Sequence, residues 1–160
     1  MDDSDLTTSS RPEPDNPDAT MRRLSEAAAK IFIALVDGLL AGAARKIDNA
    51  PGIFMAVSID HLGHSRWGTL YAVAHRYEVN GDLVPDPDVE FYVVDFPSSP
   101  QGKAIYPTAI DHGLLGYHRY VHLDGDGRPV QVSSRHQASL AIFCDSWMKT
   151  IAAQQRLVLS

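Results

Sequence analysis

The hydrophobic period of this chain changes twice, and no other feature constrains the fold as strongly. Leu24, Ala28, Ile31, Leu35, Leu39 and Ala43 recur every three or four residues, the interval of one helix face. From Ile53 the interval drops to two. Ile53, Met55, Val57 and Ile59 alternate, and Trp67, Thr69, Tyr71, Val73, His75 and Tyr77 do so again. After Ser134 the helical interval returns in Leu140, Phe143, Cys144, Trp147, Met148 and Ile151. A chain patterned this way folds as α+β, in the order helix, antiparallel meander, helix.

Punctuation residues set the expected boundaries. Helix 1 is predicted to start near Asp18 or Thr20, either of which can cap it, and to stop before Pro51-Gly52. Gly38 and Gly42 weaken it but leave a smooth face for a sheet. His61 to Ser65 reads as a turn, Val79 to Asp88 as a polar loop, and Val89 to Val94 as a strand. Ala104 to Ile110 is a strand in which Pro107 favours an edge or a bulge. Leu115 to Leu123 is a strand, Asp124-Gly125-Asp126-Gly127 a hairpin turn, and Val130 to Val132 a short sixth strand. Ser134 and Gln137 form an expected capping box for helix 2. Short loops favour antiparallel pairing of the five or six strands. Both helices are expected on one sheet face, with the other face open or paired with a second copy.

Charge divides the chain unevenly. The formal net charge is −6. Residues 1–20 hold Asp2, Asp3, Asp5, Glu13, Asp15 and Asp18 against Arg11 alone. Residues 21–160 are thus near neutrality, which disfavours general nucleic-acid binding by the domain. The first 20 residues carry almost no large apolar side chains and are expected to be a disordered acidic tail before a single domain over 21–160. The apolar stretch from Ala27 to Ala44 contains Lys30 and Asp37, which argues against a membrane span of about 20 uncharged residues. The single cysteine, Cys144, fits a reducing cytoplasmic location and, on the apolar stripe of helix 2, reads as a small core residue.

Motif by motif, the chemistry points away from catalysis. His118 and His122 on one strand would stand about 13 Å apart, too far to share a zinc ion. His61 and His64 have no cysteine or carboxylate at ligand spacing. Asp124-Gly125-Asp126-Gly127 opens like a calcium loop, but Arg135 stands where its twelfth-position glutamate belongs. No nucleophile elbow, phosphate-cradling loop or deaminase pattern occurs. The expectation is therefore no catalytic residue, no metal and no cofactor.

The segment Asn80-Gly81-Asp82-Leu83-Val84-Pro85-Asp86-Pro87-Asp88 is the most distinctive. Its asparagine-glycine pair, two prolines and three carboxylates read as a shaped turn. Asp82, Asp86 and Asp88 could instead hold Mg²⁺ or Ca²⁺ and, with His75 nearby, activate water on a phosphoester. On the neighbouring strands, Tyr71, His75 and Tyr77 share one face, as do Tyr117 and Arg119. Exposed residues of these types mark binding surfaces. Tyr71, His75, Tyr77, Asn80, Asp82, Asp86, Asp88, Tyr117 and Arg119 are thus the candidate binding residues.

The run from His75 to Phe91, with Asn80-Gly81-Asp82-Leu83 and Asp86-Pro87-Asp88 at its centre, resembles an uncharacterised domain family of bacterial plasmids and integrative elements. Ile105-Tyr106-Pro107 and Gly116-Tyr117 extend the likeness, whereas Arg76 stands where that family usually has an aromatic residue. The resemblance implies an accessory protein of a mobile element and transfers no catalytic residue. Together these readings predict a non-enzymatic protein-binding or regulatory module, such as an inhibitor of a host defence system. The small metal-dependent phosphoester hydrolase is the alternative.

Overall fold

The computed structural model describes residues 17–159. The chain runs through α1 (Glu26–Val36), β1 (Ala44–Ile47), β2 (Val57–His64), β3 (Thr69–Val79), β4 (Asp82–Asp95), β5 (Lys103–Asp111), β6 (Tyr117–Arg119), β7 (Val121–Leu123), β8 (Pro129–Val132) and α2 (Ser134–Gln154). Strands β1 to β6 form one sheet in sequence order, every pair antiparallel, and β7 pairs only with β8. The expected α+β meander between two helices is therefore present.

Its boundaries differ where local signals competed. Helix α1 starts six or more residues later than expected, because Ser25 rather than Asp18 or Thr20 accepts the capping bond, from the Ala28 N–H. It stops at Val36, since Asp37 leaves the helix and Gly38 takes φ +74°. Arg45 of β1 donates to the Leu35 carbonyl, one of the acceptors that end leaves free. Leu39 and Ala43 thus lie outside the helix, and β1 was read as its tail. Ile53 in a turn and Met55 just after it are exposed, and β2 begins only at Val57.

The Val79–Asp88 loop is almost wholly strand. Only Asn80 (φ +51°) and Gly81 (φ +87°) turn the chain, and pairing resumes at Asp82 opposite Val79. An extra residue in β4 around Asp86-Pro87 makes a bulge between the Ala74 and Arg76 pairings. Pro107 sits beside a second bulge, at Thr108, on a stretch of β5 that β6 does not reach. Leu115 to Leu123 is not one strand: the chain breaks at Tyr120, whose N–H bonds the Thr108 carbonyl. His118 and His122 therefore lie on separate strands.

The expected capping box of α2 does not form. The N-cap is Ser133, and the Ser134 hydroxyl donates to the Thr20 carbonyl instead. Gln137, fully buried, accepts from Arg22 N–H and donates to the Arg22 and Pro107 carbonyls. Its amide thus does for the free edge of β5 what another strand would do.

One face of the sheet carries Val57, Ile59, Val73, Val89, Phe91, Val93 and Ile105, packed against Phe32 and Leu35 of α1 and Cys144, Met148 and Ile151 of α2. Both helices share this core, as expected. The other face is not left open along its whole length. Tyr92, Val94, Ala104 and Tyr106 are covered by Met21, Val121, Leu123 and Val132, from the N-terminal segment and the β7–β8 hairpin. Pro17 is buried in a 3₁₀ turn, and the Tyr106 hydroxyl donates to Asp18. The folded part therefore reaches back to Pro17, inside the expected tail; the expectation for residues 1–16 lies outside the described residues.

Candidate functional site

Strand alternation assigns the candidate residues to two faces. Tyr71 and His75 face the helices. Tyr71 meets Phe32 edge-on at 5.7 Å, and His75 meets Trp147 at 5.5 Å. His75 is buried in the packing, and Tyr71 is half-buried with one edge on a groove beside α1. Tyr77, half-buried, follows them on the same side of β3. Trp147 Nε1–H donates to His75 Nδ1 at 3.3 Å. An indole N–H only donates, so Nδ1 holds a lone pair and the proton of neutral His75 sits on Nε2. That Nε2 is buried with no partner. Burial holds the His75 pKa below its ordinary value, opposed by nearby Asp86.

The three loop carboxylates do not converge. Asp82 is exposed beside the hairpin turn, Asp86 is exposed at the bulge, and Asp88 is half-buried with its carboxylate 3.0 Å from Arg76. Asn80 is exposed at the turn. Among the described residues, no group of three or more His, Cys, Asp or Glu side chains is placed to hold a metal ion.

The remaining candidates meet on the second face, in the half that the hairpin does not cover. Register places Ser58, Ala74, Asp88 and Asp111 in one row across β2 to β5, ending at Tyr117 of β6. The next row is Asp60, Ala72, Glu90, Ala109 and Arg119. Alanines supply the floor and ionised groups the walls. Arg119 donates twice to Glu90, at 2.9 and 3.0 Å, and also to the Val121 carbonyl. The Thr108 hydroxyl at the bulge donates to the same Glu90 carboxylate at 2.7 Å. This fork fixes both planes, which a lysine could not do.

Asp88 is pushed up by burial and pulled down by Arg76, with Asp111 and Asp60 adding like charge. Asp111 accepts from the Gly113 N–H. Lys46 of β1, paired with Ser58, stands at the other end of the first row. Asp60, Asp88, Glu90 and Asp111 thus outnumber Lys46, Arg76 and Arg119 on this patch by one. Tyr117, 56% exposed, stands at its rim with the Arg119 guanidinium 6.0 Å from its ring.

A family model for a domain of unknown function, DUF6908, matches residues 27–157, from α1 through the whole sheet to the end of α2. The chain belongs to the DUF6908 family. No curated protein and no solved structure matches it. The expectation of an uncharacterised domain family therefore holds. No described helix of this DUF6908 chain is long and apolar enough to cross a membrane.

Sequence reasoning missed Asp60, Arg76, Glu90 and Asp111 of the DUF6908 face. Ending the loop at Asp88 hid the alternation of Asp88, Glu90 and Tyr92 along β4. It also missed the meeting of His61 with His64. Gly63 pairs with Leu70 and His61 with Tyr71, so one residue of β2 is extra. That bulge reverses the parity of the strand and puts the two histidines on the same side, ring centroids 5.0 Å apart. Reading residues 61–65 as a turn concealed this.

Proposed function

We propose that this DUF6908 chain is a non-enzymatic protein-binding module whose unroofed half-face receives a basic segment of a partner protein. One observation carries the reading: four carboxylates stand in ordered cross-strand rows over an alanine floor, against Lys46, Arg76 and Arg119, and nothing among the described residues covers them. Glu90 with Arg119 and Asp88 with Arg76 are already held by mutual bonds, so a partner would meet little ordering cost at these pairs. The acidic surplus favours lysine or arginine opposite Asp60 and Asp111, and Tyr117 supplies a rim anchor. A second copy on the same face would set like surpluses against each other, which ranks homodimerisation below a basic partner.

The likeness of the His75–Phe91 run to domains of plasmids and integrative elements supports a role as a mobile-element accessory, regulating or inhibiting a host system. A lone cysteine that is fully buried fits work in the cytoplasm. Conjugation, phage or defence genes beside homologues would support the mobile-element part, and consistent placement among core metabolic genes would remove it.

The binding test is affinity purification from host lysate with wild type, Asp60→Lys and the helix-surface control Ala153→Arg. The proposal expects a partner that wild type and Ala153→Arg retain, that Asp60→Lys loses, and that salt weakens. Identical recovery with Asp60→Lys, folded by circular dichroism, would sink it, as would a partner lost equally with the helix control.

A further inference from the structure

From the pairing of His61 with His64 we infer a second, separate site: a two-histidine clip for a borderline transition-metal ion such as Zn²⁺, Ni²⁺ or Cu²⁺. Two imidazoles on one tetrahedral ion, each with a metal–nitrogen bond of about 2.0–2.1 Å, hold their ring centroids roughly 5 Å apart. The His61 and His64 centroids are 5.0 Å apart, with the planes at 76°. The spacing fits a pair sharing one ion, and it is equally that of an edge-to-face ring contact, so metal titration separates the two.

The nitrogens are available. His61 is 4% exposed, and its Nδ1 is buried with no hydrogen-bond partner. His64 Nδ1 lies 3.0 Å from the Thr69 hydroxyl oxygen. When that oxygen accepts from Nδ1–H, the lone pair of His64 is left on Nε2. A bond to the other ring nitrogen is the usual support of a metal-binding histidine. Tyr71, with its ring 4.6 Å from that of His61, closes one side of the pair.

A groove reaches the His64 side of the pair, and buried His61 lies behind it. His64 and Tyr71 line a groove of about 540 Å³ between the end of α1 and the β2–β3 turn, together with Asp37, Trp67 and Lys103. His64 itself is exposed. Two protein ligands leave the other coordination positions to water or to a small anion in the groove. Imidazole ligands select this group of metals over Mg²⁺ and Ca²⁺, with Cu²⁺ the tightest. The bulge in β2 is what creates the clip, because an unbulged strand would send His64 to the opposite face.

The test uses the untagged 160-residue chain titrated with Zn²⁺, Ni²⁺ and Cu²⁺, followed by calorimetry and, for Cu²⁺, by electron paramagnetic resonance. The expected result is one saturable equivalent with two coupled nitrogens. His64→Ala, an exposed substitution, should weaken binding at least tenfold and remove one nitrogen coupling. His118→Ala/His136→Ala should change neither. His61→Ala carries the risk of misfolding, so His64→Ala decides. No saturable binding, or binding that survives His64→Ala, overturns the clip.

Discussion

The Trp147 indole N–H points at His75 Nδ1 across the interface between α2 and the sheet, 3.3 Å away. This bond exists only while the ring is neutral, since a proton on Nδ1 would set one donor against another. Burial holds the folded pKa of His75 below its ordinary value of 6.5. The unfolded ring therefore takes up a proton that the folded ring refuses. Its contribution to stability is complete above pH 6.5 and is lost as the pH falls towards the folded value. His61 adds with the same sign, through burial and then His64. Thermal unfolding should give a Tm that falls between about pH 7.5 and about pH 5 by this linkage. His75→Gln, which keeps an acceptor for Trp147 but does not titrate, should flatten that fall. An unchanged slope would show that His75 is not the group responsible.

Arg119 and Glu90 form the most fully bonded pair on the open face. Arg119→Ala leaves a half-buried carboxylate with only the Thr108 hydroxyl. We expect a loss of about 1–3 kcal/mol by urea unfolding, the range for stranding a partly buried charged acceptor. Arg119→Lys should recover only part of it, because an ammonium cannot reproduce the two parallel bonds. Full recovery by lysine would mean that the fork geometry contributes nothing.

The apolar stripe of α2 makes a graded prediction. Met148 is fully buried among residues of both helices and the sheet, so Met148→Ala should cost about 2–5 kcal/mol. Phe143, an expected stripe residue, is 43% exposed and only stacks along Trp147. Phe143→Ala should therefore cost at most about 1.5 kcal/mol, the scale of an aromatic pair. Equal losses in the two variants would contradict the observed rotation of the helix.

Cys144 is fully buried, and burial raises its thiol pKa well above the ordinary value, with Asp145 adding to the effect. A thiol reagent at about pH 8 should therefore label the native chain only as fast as it opens, and label the urea-unfolded chain at once. Rapid labelling of the native protein would place the thiol at the surface.

Two hairpin-scale features were legible because they rest on local sterics. Asn80-Gly81 takes the positive φ angles that its residue types favour, and the strand pattern from Val57 to Ile59 and from Thr69 to Tyr77 follows its alternation. Three residues of the candidate site were legible too: Asp88, Tyr117 and Arg119 do share an uncovered face, whereas Asp60, Arg76, Glu90 and Asp111 were not read as part of it. Tyr71 and His75 were assigned correctly to one common face, but that face lies under the helices.

What the sequence by itself determined was the order helix, antiparallel meander, helix and the alternation of sides within unbulged stretches such as Thr69 to Tyr77, since periods of two and near 3.6 are properties of the local backbone. Tertiary structure decided everything that depends on a neighbour. Gln137 joined the edge of β5 instead of closing a capping box, because a buried strand edge leaves polar groups that must be bonded. The β7–β8 hairpin covered half of the second face, because Tyr92 and Tyr106 offered apolar surface there and the rows of carboxylates did not. The bulges in β2, β4 and β5 cost one residue each, leave no period to read, and decide which side chains meet. That is why the patch and the histidine clip emerge only from the paired strands.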